Sequence, residues 1–240
     1  MKQLPRLSLL LFFIALPHMT KAEPWQFIKQ KHGVNAYKKH IEGSTLYSFK
    51  GEGIINHPIE KVVALLLDNQ HATEWIPKLI RCQELKTNNQ WPKSFMQFSL
   101  FDAPWPIKDR YFFSRIDVSV SDNGNQVIIH YDDISPDLGL KEAPIPPNAI
   151  LGKLSGSEYT LKRLANGKTH FSAISSVKPN GKIPNWLLNW VGGSMPFDSY
   201  LRMDKALTGL ARSVPQPILD LIVPPKAAAH PSVDNNKPHP

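Results

Sequence analysis

With one cysteine in 240 residues, Cys82, the chain has no second thiol for an intramolecular disulfide and no Cys-x-x-Cys for a zinc cluster. Disulfide scaffolds and zinc knuckles are excluded. His-Glu-x-x-His, P-loop, dinucleotide and Gly-x-Ser-x-Gly patterns are also missing, so the familiar hydrolase, nucleotide and dinucleotide chemistries have no motif to rest on. The nine histidines are widely separated, and His57, His71, His130 and His170 would have to be gathered by the fold to form a site. Neither a metal nor another cofactor is expected, and no catalytic residue is assigned. Lysine and arginine are scattered instead of gathered in a stripe, which argues against nucleic acid as a partner.

What is present begins with an address. Lys2 and Arg6 precede the apolar run Leu7 to Leu16, followed by Pro17 and the small-residue pattern Thr20-Lys21-Ala22. The run is too short to cross a bilayer comfortably as a helix. Residues 1–22 therefore read as a secretory signal peptide, with cleavage near Ala22 and a periplasmic or secreted product. Loss of Lys2, Arg6 and Lys21 would lower the net charge from +8 to +5, a balance that suits solubility and contact with anionic membrane surfaces. At the other end, residues 214–240 form a Pro-rich tail, expected to be disordered from Pro224 onward, where Val233 is the one large aliphatic residue. A single domain is expected over 23–213.

Two-residue alternation dominates that domain. Tyr47, Phe49, Gly51, Gly53 and Ile55 share one strand face; Met96, Phe98 and Leu100 oppose Gln97 and Ser99; Phe112, Ile116, Val118 and Val120 oppose Arg115, Asp117 and Ser119. Further strands are expected at 34–41, 126–134, 150–163 and 168–178, with turns at Asp122-Asn123-Gly124-Asn125 and Asn166-Gly167. Helical spacing appears after Pro58 (Ile59, Val62, Val63, Leu66) and again where Trp75 and Ile76 precede Leu79 and Ile80 by four residues. Near the end, Pro184 opens Trp186, Leu187, Trp190 and Val191; Gly192-Gly193 interrupts; Pro196 restarts a helix with Tyr200, Leu201, Met203, Leu207 and Leu210. The class is α+β: a curved antiparallel sheet with two short helices after the second strand and a long C-terminal helix.

Three segments carry a family resemblance. They are Asp68-Asn69 with Glu74-Trp75-Ile76-Pro77; Pro104-Trp105-Pro106-Ile107-Lys108-Asp109-Arg110-Tyr111-Phe112-Phe113; and Lys182-Ile183-Pro184-Asn185-Trp186-Leu187-Leu188-Asn189. In order and spacing they resemble the START lipid-transfer domains, over about Trp25 to Leu210. The resemblance implies a helix-grip fold, in which the sheet wraps the terminal helix around a lipid-sized cavity. It also implies that the proline-rich segment from Asp132 to Ile150 is an omega-like loop over the cavity mouth, although Leu138, Leu140 and Ile145 would equally tuck it onto the sheet. Tyr111 departs from the family's usual Asp. Some members hold an internal Arg and carboxylate; here Arg110 shares the face of Phe112 and Ile116, while Arg115 takes the opposite one.

Strand parity and helical phase then name the expected lipid-binding residues: Phe49, Gly53, Met96, Phe98, Phe112, Ile116, Trp190 and Tyr200, with Arg110 as the polar contact. The alternative for each is that it packs a solid core. Burying roughly 400 Å² of ligand surface at about 25 cal/mol/Å² would yield on the order of 10 kcal/mol, comparable to what a membrane offers. The expected function is to hold a hydrophobic ligand, a lipid or sterol-like molecule, and transfer it between membranes as a monomer, with transient membrane contact. Two alternatives stay open: a cyclase-, aromatase- or hydrolase-like enzyme using the same pocket, and a periplasmic interaction module with a vestigial cavity.

Overall fold

The computed structural model describes residues 24–223 other than 122, 139–142, 155, 182–183, 185–186, 188–193 and 210–212. Three strands open the chain: β1 (Gln26–Lys31), β2 (Val34–His40) and β3 (Tyr47–Ile55). Two short helices follow, α1 (Ile59–Leu66) and α2 (Ala72–Trp75). Then come β4 (Leu79–Gln90), β5 (Ser94–Phe101), β6 (Arg110–Val120) and β7 (Gln126–Asp133). Short β8 (Ile150–Leu151) and β9 (Lys153–Leu154) precede β10 (Ser157–Arg163), β11 (Thr169–Ser175) and β12 (Val177–Lys178). Two helices end the described chain, α3 (Met195–Gly209) and α4 (Gln216–Ile222).

The main sheet runs β1-β2-β3-β11-β10-β7-β6-β5-β4, antiparallel throughout, with β8 added in parallel to β6. The short helices thus follow the third strand, not the second. Alternation does not reveal β1, because five of its six residues are exposed and it has no buried face to imprint a pattern. A second difference lies at Leu79 and Ile80. The predicted helical continuation stops at Trp75, since Pro77 cannot extend the ladder, and Leu79 pairs with Phe101 in the sheet.

Helix α1 buries Ile59, Val62, Val63 and Leu66, the stripe its spacing predicts. Helix α3 buries Phe197, Tyr200, Met203 and Leu207 against the concave side, whereas Leu201 faces outward. Helix α4 sets Ile218 and Ile222 into the same core and packs on α1, so the packed body extends past the boundary expected at 213. The first half of the predicted terminal helix, with Trp186, Trp190 and Gly192, lies outside the described residues apart from single positions.

Two apolar layers result. One fills the concave side beneath the helices. The other, on the convex side, gathers Leu85, Met96, Phe98, Leu100 and Phe113 under Ile134, Ala143, Ile145, Ala149 and Leu151. The proline-rich connection, where described, is therefore packed against the back of the sheet and is not a lid: none of the described residues from Asp132 to Ile150 borders the interior cavity. Close packing at its exit needs Gly152, because a Cβ there would occupy the position of the Phe112 ring.

Candidate functional site

A cavity of about 370 Å³ lies between the concave sheet and α3. Its apolar walls come from Phe49, Gly51, Phe171 and Ala173 on β3 and β11, from Phe101 and Phe112 on β5 and β6, and from Pro196 and Met203 on α3. Phe101 meets Phe112 edge to face at 5.8 Å, a favoured aromatic geometry that stiffens this wall. Leu46, Tyr47 and the β5–β6 connection (Asp102, Ala103, Pro104, Ile107) form a rim, where Lys78 Nζ donates to Asp102 Oδ2 at 2.8 Å. Trp105, in that connection, is 91% exposed.

Arg110 is buried beside the cavity and spends its donors on backbone. Nε donates to the Pro179 carbonyl at 2.9 Å, Nη2 to the Asn180 carbonyl at 3.2 Å, and Nη1 to the Lys108 carbonyl. Burial pulls the guanidinium below its ordinary range, partly offset by neighbouring Asp109, yet it keeps its charge. Among the described residues no carboxylate forms an ion pair with it; carbonyl dipoles do the compensating.

A polar group sits where α1 and α2 meet the sheet. The Cys82 thiol donates to Asn69 Oδ1 at 3.4 Å. Burial pushes that thiol up to about 12, and nearby Asp68 adds to the rise against a backbone hydrogen bond at Gln83. Tyr159 rises to about 12 for the same reason, with Cys82 contributing, and Tyr131 rises well above its ordinary value. The two phenol rings meet edge to face at 5.6 Å, and Tyr159 also stacks on Phe171. These ionisations are displaced away from neutral pH, the opposite of what nucleophilic or general-base chemistry needs.

Beyond Asn69 and Cys82 a second, more polar cavity of about 650 Å³ lies between α1, α4 and β4. It holds the His71–Asp68 pair, joined at 2.7 Å. Two other candidate histidines are engaged elsewhere: His130 with Asp132, and His57 near Thr208. Among the described residues no three His, Cys, Asp or Glu side chains are placed to hold a metal ion.

The architecture has known counterparts. It superposes on a STAR-related lipid transfer protein from Xanthomonas axonopodis with a TM-score of 0.65 at 22% identity, covering 78% of this chain and 99% of that one. Human StAR-related lipid transfer protein 5 gives a TM-score of 0.69 at 14% identity, covering 79% and 88%. This is a START-type helix-grip fold. In sequence the chain is 26% identical over 168 residues to an uncharacterized protein of Pseudomonas aeruginosa, covering 70% of this chain and 79% of the relative. It is 21% identical over 176 residues to human phosphatidylcholine transfer protein, covering 69% and 75%. No protein-family model matches the chain.

Within the START-type fold the predicted positions divide. Phe49, Arg110 and Phe112 border the cavity. Met96 and Phe98 do not: they face the convex layer, because β5 is buried on both sides and its more apolar side is the one covered by protein. The cavity side of β5 carries Gln97 and Ser99. Ile116 has the cavity parity but lies further along β6, in solid core. Gly53 abuts β2, where a Cβ would stand 3.0 Å from the Gly33 carbonyl oxygen; Gly51 is the strand glycine that borders the cavity. Tyr200 is turned into the core and donates to the Ile54 carbonyl at 2.6 Å, leaving Ser199 and Met203 on the cavity. Trp190 lies outside the described residues. Sequence reasoning missed Asn69, Trp75 and Cys82 as cavity residues. Asn69 and Trp75 both stand in the first resemblance segment, but no spacing rule places the turn at Asn69 beside Cys82, 13 residues on in β4.

Proposed function

We propose that this protein carries a hydrophobic small molecule, a lipid or a sterol-like compound, in the cavity between sheet and α3 and moves it between membranes. The observation that carries this reading is the cavity itself, about 370 Å³ and mainly apolar in lining, within the range of roughly 300–1,000 Å³ for small-molecule sites. The neighbours of the START-type fold are named as lipid transfer proteins, and the curated relatives in rat and human as phosphatidylcholine transfer proteins. An enzymatic role draws no support from the site: no histidine lies among the described residues that line it, and burial pushes its cysteine thiol up to about 12, away from the thiolate.

In this reading residues 1–22 direct export and are removed near Ala22, and the mature chain works as a monomer in the periplasm or outside the cell. No helix among the described residues is long and apolar enough to cross a membrane. Membrane contact is transient and made by the rim, where Trp105 offers an amphipathic ring suited to the headgroup layer.

The test is to produce the chain with its own leader, recover it, sequence the mature N-terminus, and identify bound species by native mass spectrometry after organic extraction. Start at Glu23, a co-purifying lipid and transfer of it between vesicles are expected. An intact domain that takes up no lipid from any vesicle would refute the carrier reading.

A further inference from the structure

Among the described residues two buried side-chain polar atoms have no hydrogen-bond partner, Trp75 Nε1 and Asn69 Nδ2, and both residues line the cavity. Trp75 is 3% exposed, and an indole nitrogen is a donor in every state. Asn69 has its Oδ1 occupied by the Cys82 thiol at 3.4 Å, which leaves the amide nitrogen as its open group. A buried donor without a partner is costly, and the large majority of buried polar groups in native proteins are paired. Such donors are explained if something inside the cavity accepts from them.

The surroundings define the acceptor. Near it the sheet contributes Gln97, Ser99 and Ser114, all uncharged. The cations bordering the cavity are Lys78, exposed and paired with Asp102 at 2.8 Å, and Arg110, which donates to three backbone carbonyls. A phosphate at Asn69 and Trp75 would thus be desolvated against neutral donors alone, the situation in which a buried charge is penalised most. An uncharged oxygen meets no such penalty. We propose that the cavity orients its ligand by an uncharged oxygen acceptor, a hydroxyl, ester or quinone-type carbonyl, held by Trp75 Nε1 and Asn69 Nδ2. This rests on the carrier reading and narrows it: the preferred cargo is a neutral amphiphile, and the phosphodiester class suggested by the names of the transfer-protein relatives is disfavoured.

The test uses four probes that share one chain and differ at one end: hexadecane, hexadecan-1-ol, methyl hexadecanoate and hexadecyl phosphate. Each is offered from cyclodextrin, and pairs compete under native mass spectrometry. The alcohol and ester should each outcompete hexadecane by about five- to tenfold, the yield of one or two neutral hydrogen bonds, and hexadecyl phosphate should do no better than hexadecane. Trp75→Phe keeps an aromatic ring and removes the donor, so the ester preference should fall to within about twofold while hexadecane uptake persists. Asn69→Leu should act in the same direction, and it decides the matter if the tryptophan variant fails to fold by near-ultraviolet circular dichroism. The proposal is overturned if the phosphate binds best, if all probes bind alike because water satisfies the donors, or if neither folded variant changes the ratio. In each of those cases hexadecane uptake leaves the carrier reading standing. Failure of all four probes to bind would overturn both.

Discussion

Arg110 Nε donates to the carbonyl oxygen of Pro179 at 2.9 Å, joining residues 69 apart in sequence and tying the start of β6 to the segment after β12. With the bonds to Asn180 and Lys108, a single guanidinium satisfies three backbone carbonyls beside the cavity. This is a structural clamp at the position that strand parity offers as the ligand's polar contact.

Replacing the clamp tests that assignment. Arg110→Met keeps much of the side-chain bulk and removes every donor, and hydrogen bonds to charged groups contribute about 1.5–3 kcal/mol each in favourable cases. Urea unfolding should show a loss of roughly 2–4 kcal/mol, with affinity for neutral ligands in the folded protein changed by less than about threefold. A variant of unchanged stability that had lost its ligand would instead make Arg110 a ligand contact.

A second prediction concerns acid. Glu52 accepts from Tyr37 Oη at 2.8 Å and from Lys50 Nζ at 2.9 Å. Burial alone would raise its carboxyl, but the Lys50 and Tyr37 bonds outweigh it and hold the group below its ordinary value of 4.5. A lowered folded value contributes stability that is present above the unfolded value and lost as pH falls through the folded one. The melting temperature should therefore drop from about pH 5 downward, and part of that drop should vanish in Glu52→Gln. The variant should be less stable than wild type at pH 7 and converge on it in acid. Parallel curves would remove Glu52 from the account.

Strand parity on β5 and β6 was legible from alternation, and so was the stripe on α1. Which face of β5 looks at the cavity was not. Alternation reports burial, and a face covered by protein carries a stronger apolar imprint than a face that borders a cavity. Met96 and Phe98 are the more apolar set because Ile145 and Leu151 cover them; Gln97 and Ser99 are the more polar set because they border the cavity instead of a covering layer of protein. The same logic hid Gly51 behind Gly53, since both supply no side chain and only the position of Pro196 against one and the Gly33 carbonyl against the other separates them. Helix α4 escaped notice for a different reason: Pro215 and Pro217 read as tail, although a proline in the first turn is compatible with a helix.

Exposure of Trp105 leads to a third prediction. Its ring is 91% accessible in a connection of which Asp102, Ala103, Pro104 and Ile107 border the cavity, so it is placed to enter a membrane surface as the rim approaches. Partial burial of such a ring contributes on the order of 1 kcal/mol, and Trp105→Ala should weaken vesicle association about five- to tenfold. Transfer between vesicles should slow by a similar factor while equilibrium affinity for a ligand supplied without membranes is unchanged. Equal loss of both would move Trp105 from the membrane contact to the fold.

The last prediction separates cavity wall from packed core. Ala173 on β11 borders the cavity, and a larger side chain there grows into space the protein does not fill. Ala173→Trp should reduce ligand uptake at least about tenfold while shifting the melting temperature by only a few degrees, because the added ring replaces the ligand instead of displacing protein atoms. Gly53→Trp is the control with the opposite signature. Its new Cβ would meet the Gly33 carbonyl oxygen at 3.0 Å and the Val34 side chain at 3.4 Å, so the strain falls on the β2–β3 pairing. Destabilisation of about 1–3 kcal/mol is expected there, with uptake by the remaining folded protein close to wild type. If Ala173→Trp instead unfolds the domain and Gly53→Trp blocks uptake without destabilising it, the cavity runs along Gly53 and not along Ala173.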